Sequence, residues 1–214
     1  MIMDKTMQNS SEIMTIFYAE PTRVCSINEI SKLLSKPYGT TYNYVQSLIK
    51  DRVLKSNIKG KATLCSLNFD SQKAIELLSI ISISDKEVFA KKQTIISEAL
   101  DELATKVKEK TSHNIFTLVL FGSIARGRFK EKSDIDLFFI TPSKEKYDEI
   151  IENECNALRL SYGRDLNPII AEPKMYINML MEKGENIGRQ LLKTDKIIFF
   201  GANKFWELTM EGLK

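Results

Sequence analysis

The chain of 214 residues has a single histidine, three cysteines and a net charge of only +3. It also has no apolar run approaching the roughly 18–20 residues that a membrane span needs. Cys25, Cys65 and Cys155 are odd in number and widely spaced, which fits neither a disulfide framework nor a zinc cluster and implies a reducing, cytoplasmic setting. The lone His113 stands at the entrance to an expected strand, a structural or exposed position rather than a catalytic or metal-binding one. Near the start, Asp4 and Glu12 interrupt the apolar stretch that a secretory leader requires, so secretion and membrane insertion are both disfavoured. What the chain does have is ordinary globular composition, 43% apolar and 28% charged. That supports packed cores in one large or two small domains and argues against global disorder.

The charge is unevenly placed. Residues 1–70 carry nine Lys/Arg against six acids, which accounts for the whole excess, and five of those bases (Lys50, Arg52, Lys55, Lys59 and Lys61) cluster around the single acid Asp51. Such clustering suits either a phosphate-contacting edge or a solvated basic hairpin. Local signals in this segment predict a helix starting at Ser11 and ended by Pro21, then a second helix opened by the capping box Ser26-Ile27-Asn28-Glu29 and ended by Pro37. A third helix is expected from Thr40 to about Arg52, burying Val45, Leu48 and Ile49. Extended segments at 53–56 and 62–67 flank Lys59-Gly60-Lys61, where glycine permits a tight reversal. This order of helices and basic hairpin resembles a winged helix-turn-helix domain. The resemblance implies double-stranded DNA as a partner, with Thr40, Thr41, Asn43, Tyr44 and Ser47 of the third helix in the major groove and Lys59 and Lys61 along the backbone. Winged helices also dock proteins, which is the competing reading.

Residues 71–112 are expected to form a helical connector. Ala74, Ile75, Leu77, Leu78 and Ile81 give a short apolar face, and Val88 to Val107 hold helical spacing over 85–110. An amphipathic helix of this length must bury one face, against neighbouring domains or in a homodimer.

From 113 to 214 the pattern becomes a small α/β unit, with strands at 115–121, 135–140, 166–171 and 197–200 and a helix over 144–160. The Met-rich stretch 175–181 is expected to fill core gaps, and Phe205 and Trp206 to anchor the last helix. Within this unit lies Gly122-Ser123-Ile124-Ala125-Arg126-Gly127, followed by Ser133-Asp134-Ile135-Asp136-Leu137. Strand alternation sends Asp134 and Asp136 to one side while Ile135 and Leu137 face a core. Paired carboxylates of this kind suit Mg²⁺, which uses one or two of them together with substrate phosphates. Gly122 and Ser123, at a strand-to-helix turn, offer amides and a hydroxyl to a triphosphate, and Arg126 a guanidinium.

These residues resemble the signature of minimal nucleotidyltransferases, related to DNA polymerase beta. The resemblance implies transfer of an NMP from an NTP, ATP first among them, to an acceptor hydroxyl, with a third carboxylate completing the metal site and acting as base. Asp165 is the candidate for that role. Asn167 shares its strand parity and is the alternative occupant of the third position, where an amide cannot act as a base. Pro168 removes a ladder donor and predicts an edge or irregular strand. The resemblance also implies a helical partner protein, a toxin in some relatives, as acceptor. The whole reading is thus a winged helix-turn-helix, a helical connector and a mixed-sheet nucleotidyltransferase domain, of overall α+β class. The competing function is a DNA-binding regulator whose second domain binds nucleotide or a partner without turnover.

Overall fold

The computed structural model describes residues 5–60, 62–128, 130, 133–193 and 195–214, with side chains from Ser10 onward. The fold divides into two compact units, residues 1–81 with 213–214, and residues 82–212.

The first unit begins with α1 (Lys5–Ala19), which starts earlier than its serine cap predicts and ends before Pro21. A short β1 (Val24–Ser26) leads directly into α2 (Ile27–Leu33). The capping box is formed: the Glu29 amide donates to Ser26 Oγ, and the Ser26 amide donates to the Glu29 carboxylate at 2.7 Å. Two orphan donors are thereby satisfied. Next comes α3 (Tyr38–Lys50), opened by Pro37, whose missing N–H costs nothing at a helix start. The hairpin β2 (Leu54–Lys59) and β3 (Ala62–Leu67) turns through Gly60 at φ +62°. All three strands are antiparallel in the order β1-β3-β2, and Ile13, Met14, Phe17, Ile30, Val45, Leu48 and Cys65 are buried around them.

The segment expected as a connector divides between the units. One helix, α4 (Gln72–Lys92), runs through the boundary, and Gln93, at φ −132° and ψ 55°, breaks it before α5 (Thr94–Lys110). Ile96, Leu100, Leu103 and Val107 of α5 then join the core of the second unit.

That second core is built on a four-stranded sheet of order β6-β5-β4-β7, comprising β4 (Thr117–Phe121), β5 (Ile135–Ile140), β6 (Leu166–Ala171) and β7 (Ile197–Phe200). Only β5 and β6 are parallel, joined by the crossover helix α7 (Lys144–Tyr162) that parallel pairing demands. Along one face, Leu118, Leu120, Ile135, Leu137 and Phe139 pack with α5 and with Tyr147, Ile151 and Cys155 of α7. Burial pushes the Cys155 thiol up to about 12, so it behaves as an inert apolar group.

Opposite lie α8 (Pro173–Met181), α9 (Ile187–Lys193) and α10 (Ala202–Gly212). There Phe138, Tyr176, Phe205 and Trp206 form a chain of ring contacts with centroids 5.3–5.6 Å apart. Tyr176 and Leu180 are the buried residues of α8 and Met179 is half-buried, whereas Met175 and Met181 are exposed, so two of the three methionines stay out of the core that their composition suggested. His113 is exposed in the turn after α5. Among the described residues, no helix is long and apolar enough to cross a membrane.

Candidate active site

The site forms where β4 ends beside the start of β5. Phe121 pairs with Asp136 across the ladder, and the chain then turns at Gly122 into the single-turn helix α6 (Gly122–Ala125). Gly122 has φ +78°, and a Cβ there would stand 2.2 Å from Asp136 Oδ2. The bare backbone of Gly122 therefore lies against the Asp136 carboxylate, an approach only glycine allows. Ser123 follows, half-buried, and the fully buried Ile124 anchors the turn. Gly127 donates to the Ile124 carbonyl and Arg128 to that of Ser123, which closes the loop back on itself. Arg126 and Arg128 are exposed on it.

Asp134, just before β5, and Asp136, within it, share strand parity while Ile135 and Leu137 enter the core. Two contacts from the β6 side pin this entry: the Ile135 amide donates to the Asp165 carbonyl at 2.8 Å, and Arg164 Nη1 donates to the Ser133 carbonyl at 3.2 Å.

The residue facing the aspartates from β6 is Asn167. Register pairs it with Asp136, and its amide nitrogen lies 3.4 Å from Asp134 Oδ2 and 3.5 Å from Asp136 Oδ1. Asp165 precedes the strand. Its carboxylate is held by Arg159 Nε at 2.5 Å, with both side chains more than half exposed. The cause is local: Gly163, at φ +68°, caps α7 in the left-handed conformation and reverses the chain beneath Arg159. Arg159 was not singled out from sequence, although a base in the last helical turn followed by glycine and an acid is a readable pattern. Pro168 sits in β6, which is an edge strand, so its missing donor breaks no ladder.

Among the described residues no three His, Cys, Asp or Glu side chains gather at one point. Two carboxylates beside an amide, open on one side, nevertheless suit a hard cation that keeps positions for phosphate oxygens.

The residues expected to contact DNA separate by burial. Thr40 and Asn43 are exposed on α3, and Tyr44 and Ser47 are half-buried. Thr41 is 1% exposed and its hydroxyl donates to the Pro37 carbonyl at 3.1 Å, so it faces the interior and drops out of any contact surface. Tyr38 and Tyr42, not anticipated, are exposed with their rings 6.1 Å apart. Lys59 is exposed near the hairpin tip; Lys61 lies outside the described residues. Lys55 pairs with Asp70 and Asp51 with Lys73, which takes both the acid and one base of the cluster into local ion pairs.

Comparison with known proteins bears on the second unit. Residues 100–201 match the model of the nucleotidyltransferase domain. A Methanocaldococcus jannaschii protein named "Putative protein adenylyltransferase MJ1305" is 29% identical over 126 residues, 57% of this chain and 83% of that protein. A second protein of the same organism, "Putative protein adenylyltransferase MJ0604", is 33% identical over 79 residues, 37% of this chain and 76% of that protein. No solved structure matches. The glycine-serine turn, the two aspartates on one strand edge and these similarities agree, and the chain belongs to the nucleotidyltransferase-domain family.

Proposed function

We propose that the second unit transfers an NMP, AMP first among candidates, from an NTP to an acceptor in a Mg²⁺-dependent reaction, and that the first unit holds duplex DNA as a winged helix. The observation that carries the transfer is the placement of the Gly122 backbone directly against the Asp136 carboxylate. A triphosphate bound by the turn would thereby lie beside the aspartates that would hold a cation.

Asp134 and Asp136 would hold the metal, with Gly122 and Ser123 donating to the triphosphate tail through amides and the Ser123 hydroxyl. When bound, the cation offsets phosphate charge and polarises the reacting oxygens. Arg126, exposed at the end of α6, adds a guanidinium for phosphate oxygens. The acceptor oxygen bonds to the α-phosphorus, the bond to the β-phosphate bridge breaks and pyrophosphate leaves. The names of the two archaeal relatives make a protein side chain the first acceptor to test.

DNA binding is supported by the element order of the first unit and by exposed Lys50, Arg52 and Lys59 beside the exposed polar edge of α3. A second reading, a DNA-bound regulator that senses nucleotide without turnover, is favoured by the amide of Asn167 where a third carboxylate would otherwise face the pair.

The deciding experiment incubates the purified chain with each α-labelled NTP and Mg²⁺, with and without duplex DNA and the products of neighbouring genes. Label on a macromolecule, lost in Asp134→Ala, is the expected result. NTP binding without label on any acceptor would replace transfer by sensing.

A further inference from the structure

The third position of the site is occupied, and its occupant is neutral. Asn167 is the register partner of Asp136, and its amide nitrogen, which carries two hydrogens, lies between Asp134 and Asp136 at 3.4 and 3.5 Å. One hydrogen is available for each carboxylate. Asp165, the nearest acid on that side, is drawn toward Arg159 by an ion pair and contributes only its main-chain carbonyl, which receives the Ile135 amide. Turning the Asp165 carboxylate into the site would require breaking that pair.

We infer that Asn167 is a positioning residue that orients the two aspartates for one divalent cation, and that Asp165 lies outside the metal site. Resting on the transfer reading above, this assigns the acceptor's proton to a group brought by the acceptor or its carrier.

The physical case is one of charge and count. Two carboxylates on one strand edge repel, and a bridging amide donor offsets that repulsion without adding a negative charge. A third carboxylate would instead raise the charge of the cluster and add a ligand, which is how a second cation is held. Partners that orient metal ligands are typically worth about 10–100-fold in metal affinity.

The test is a Mn²⁺ titration followed by electron paramagnetic resonance, with and without a non-cleavable NTP analogue, on the full chain and on Asn167→Asp, Asn167→Ala, Asp165→Asn and Asp136→Asn. The parent chain is expected to take one Mn²⁺. Asp165→Asn should leave stoichiometry and affinity within about twofold, Asn167→Ala should weaken binding about tenfold, and Asn167→Asp should admit a second ion. A parallel melting experiment should find Asn167→Asp less stable than the parent without metal and more strongly stabilised by Mg²⁺. Circular dichroism of each variant separates these effects from misfolding. Loss of Mn²⁺ binding in Asp165→Asn comparable to that in Asp136→Asn would overturn the assignment, as would a single unchanged ion in Asn167→Asp. Because the readout is metal occupancy, the expected pattern with no transfer to any acceptor would leave Asn167's role standing and defeat the transfer reading alone.

Discussion

The two units carry their chemistry in different ways. In the second, the proposed transfer depends on where a few atoms sit: a glycine backbone against a carboxylate, two aspartates of one strand and an amide between them. In the first, the proposed DNA binding rests on the character of a surface, an exposed hairpin and helix edge bearing lysines and polar side chains. A site of the first kind tolerates almost no displacement, because misplacement of about 1 Å costs about 10²-fold in rate. A surface of the second kind acts through summed charge, and each base counts about equally. Perturbations should therefore give steep, local losses in one unit and shallow, additive ones in the other.

The steepest loss is expected from Gly122→Ala. Its new methyl would overlap Asp136 Oδ2, so either the turn or the carboxylate must move. Transfer should fall by at least about 10²-fold while the far-ultraviolet spectrum stays native. Near-normal transfer would show that the close approach does not matter and would erase the contrast between the units. A backbone test of the same kind lies away from the site. A Cβ on Gly201, at φ +74°, would stand 1.9 Å from the Phe116 carbonyl oxygen, so Gly201→Ala should cost more than about 3 kcal/mol, read from urea unfolding.

Legibility in the sequence follows the same division. The strands of the second unit were readable because continuous apolar runs bounded by turns can only be buried, and the Asp-Ile-Asp alternation fixes a shared side without any knowledge of the fold. Which side chain faces the two aspartates from β6 was not readable, since Asp165 and Asn167 have the same parity. What separates them is where β6 begins and how Gly163 turns the chain under Arg159. The unit boundary was hidden for a related reason: α4 is continuous through it, so neither proline nor glycine marks the change. On α3, Thr41 was expected among the DNA contacts with its polar neighbours, yet its hydroxyl is satisfied by the Pro37 carbonyl of its own turn. A threonine can be buried at little cost in that way, and composition alone does not reveal it.

Two lysines sharpen the contrast between the units at smaller scale. Lys196, in the second unit, is 3% exposed beside the Trp206 ring, and burial lowers its amine to about 8, with Asp195 and Asp85 opposing the shift. Its folded value lies below its unfolded one of 10.5, so the unfolded chain binds the proton more readily between those limits. Stability should accordingly rise as pH increases from about 8 to 10.5, and the charged amine should carry its full penalty below about 8. Lys196→Met should remove this pH dependence, so that urea unfolding finds its stability flat between about pH 8 and 10.5, where that of the parent rises.

Lys59 is the opposite case, an exposed base near the hairpin tip whose removal should leave folding untouched. If it meets a DNA phosphate, Lys59→Ala should lower the slope of log affinity against log salt by about one, with a similar loss for every duplex sequence. Asn43→Ala, on the exposed edge of α3, should instead weaken binding to some sequences more than others, because a side chain that reads base edges discriminates and one that neutralises phosphate does not. An unchanged salt slope in Lys59→Ala, or no duplex binding at low salt, would recast the first unit as a protein-docking module. The proposed protein acceptor would then be the first candidate for what it docks.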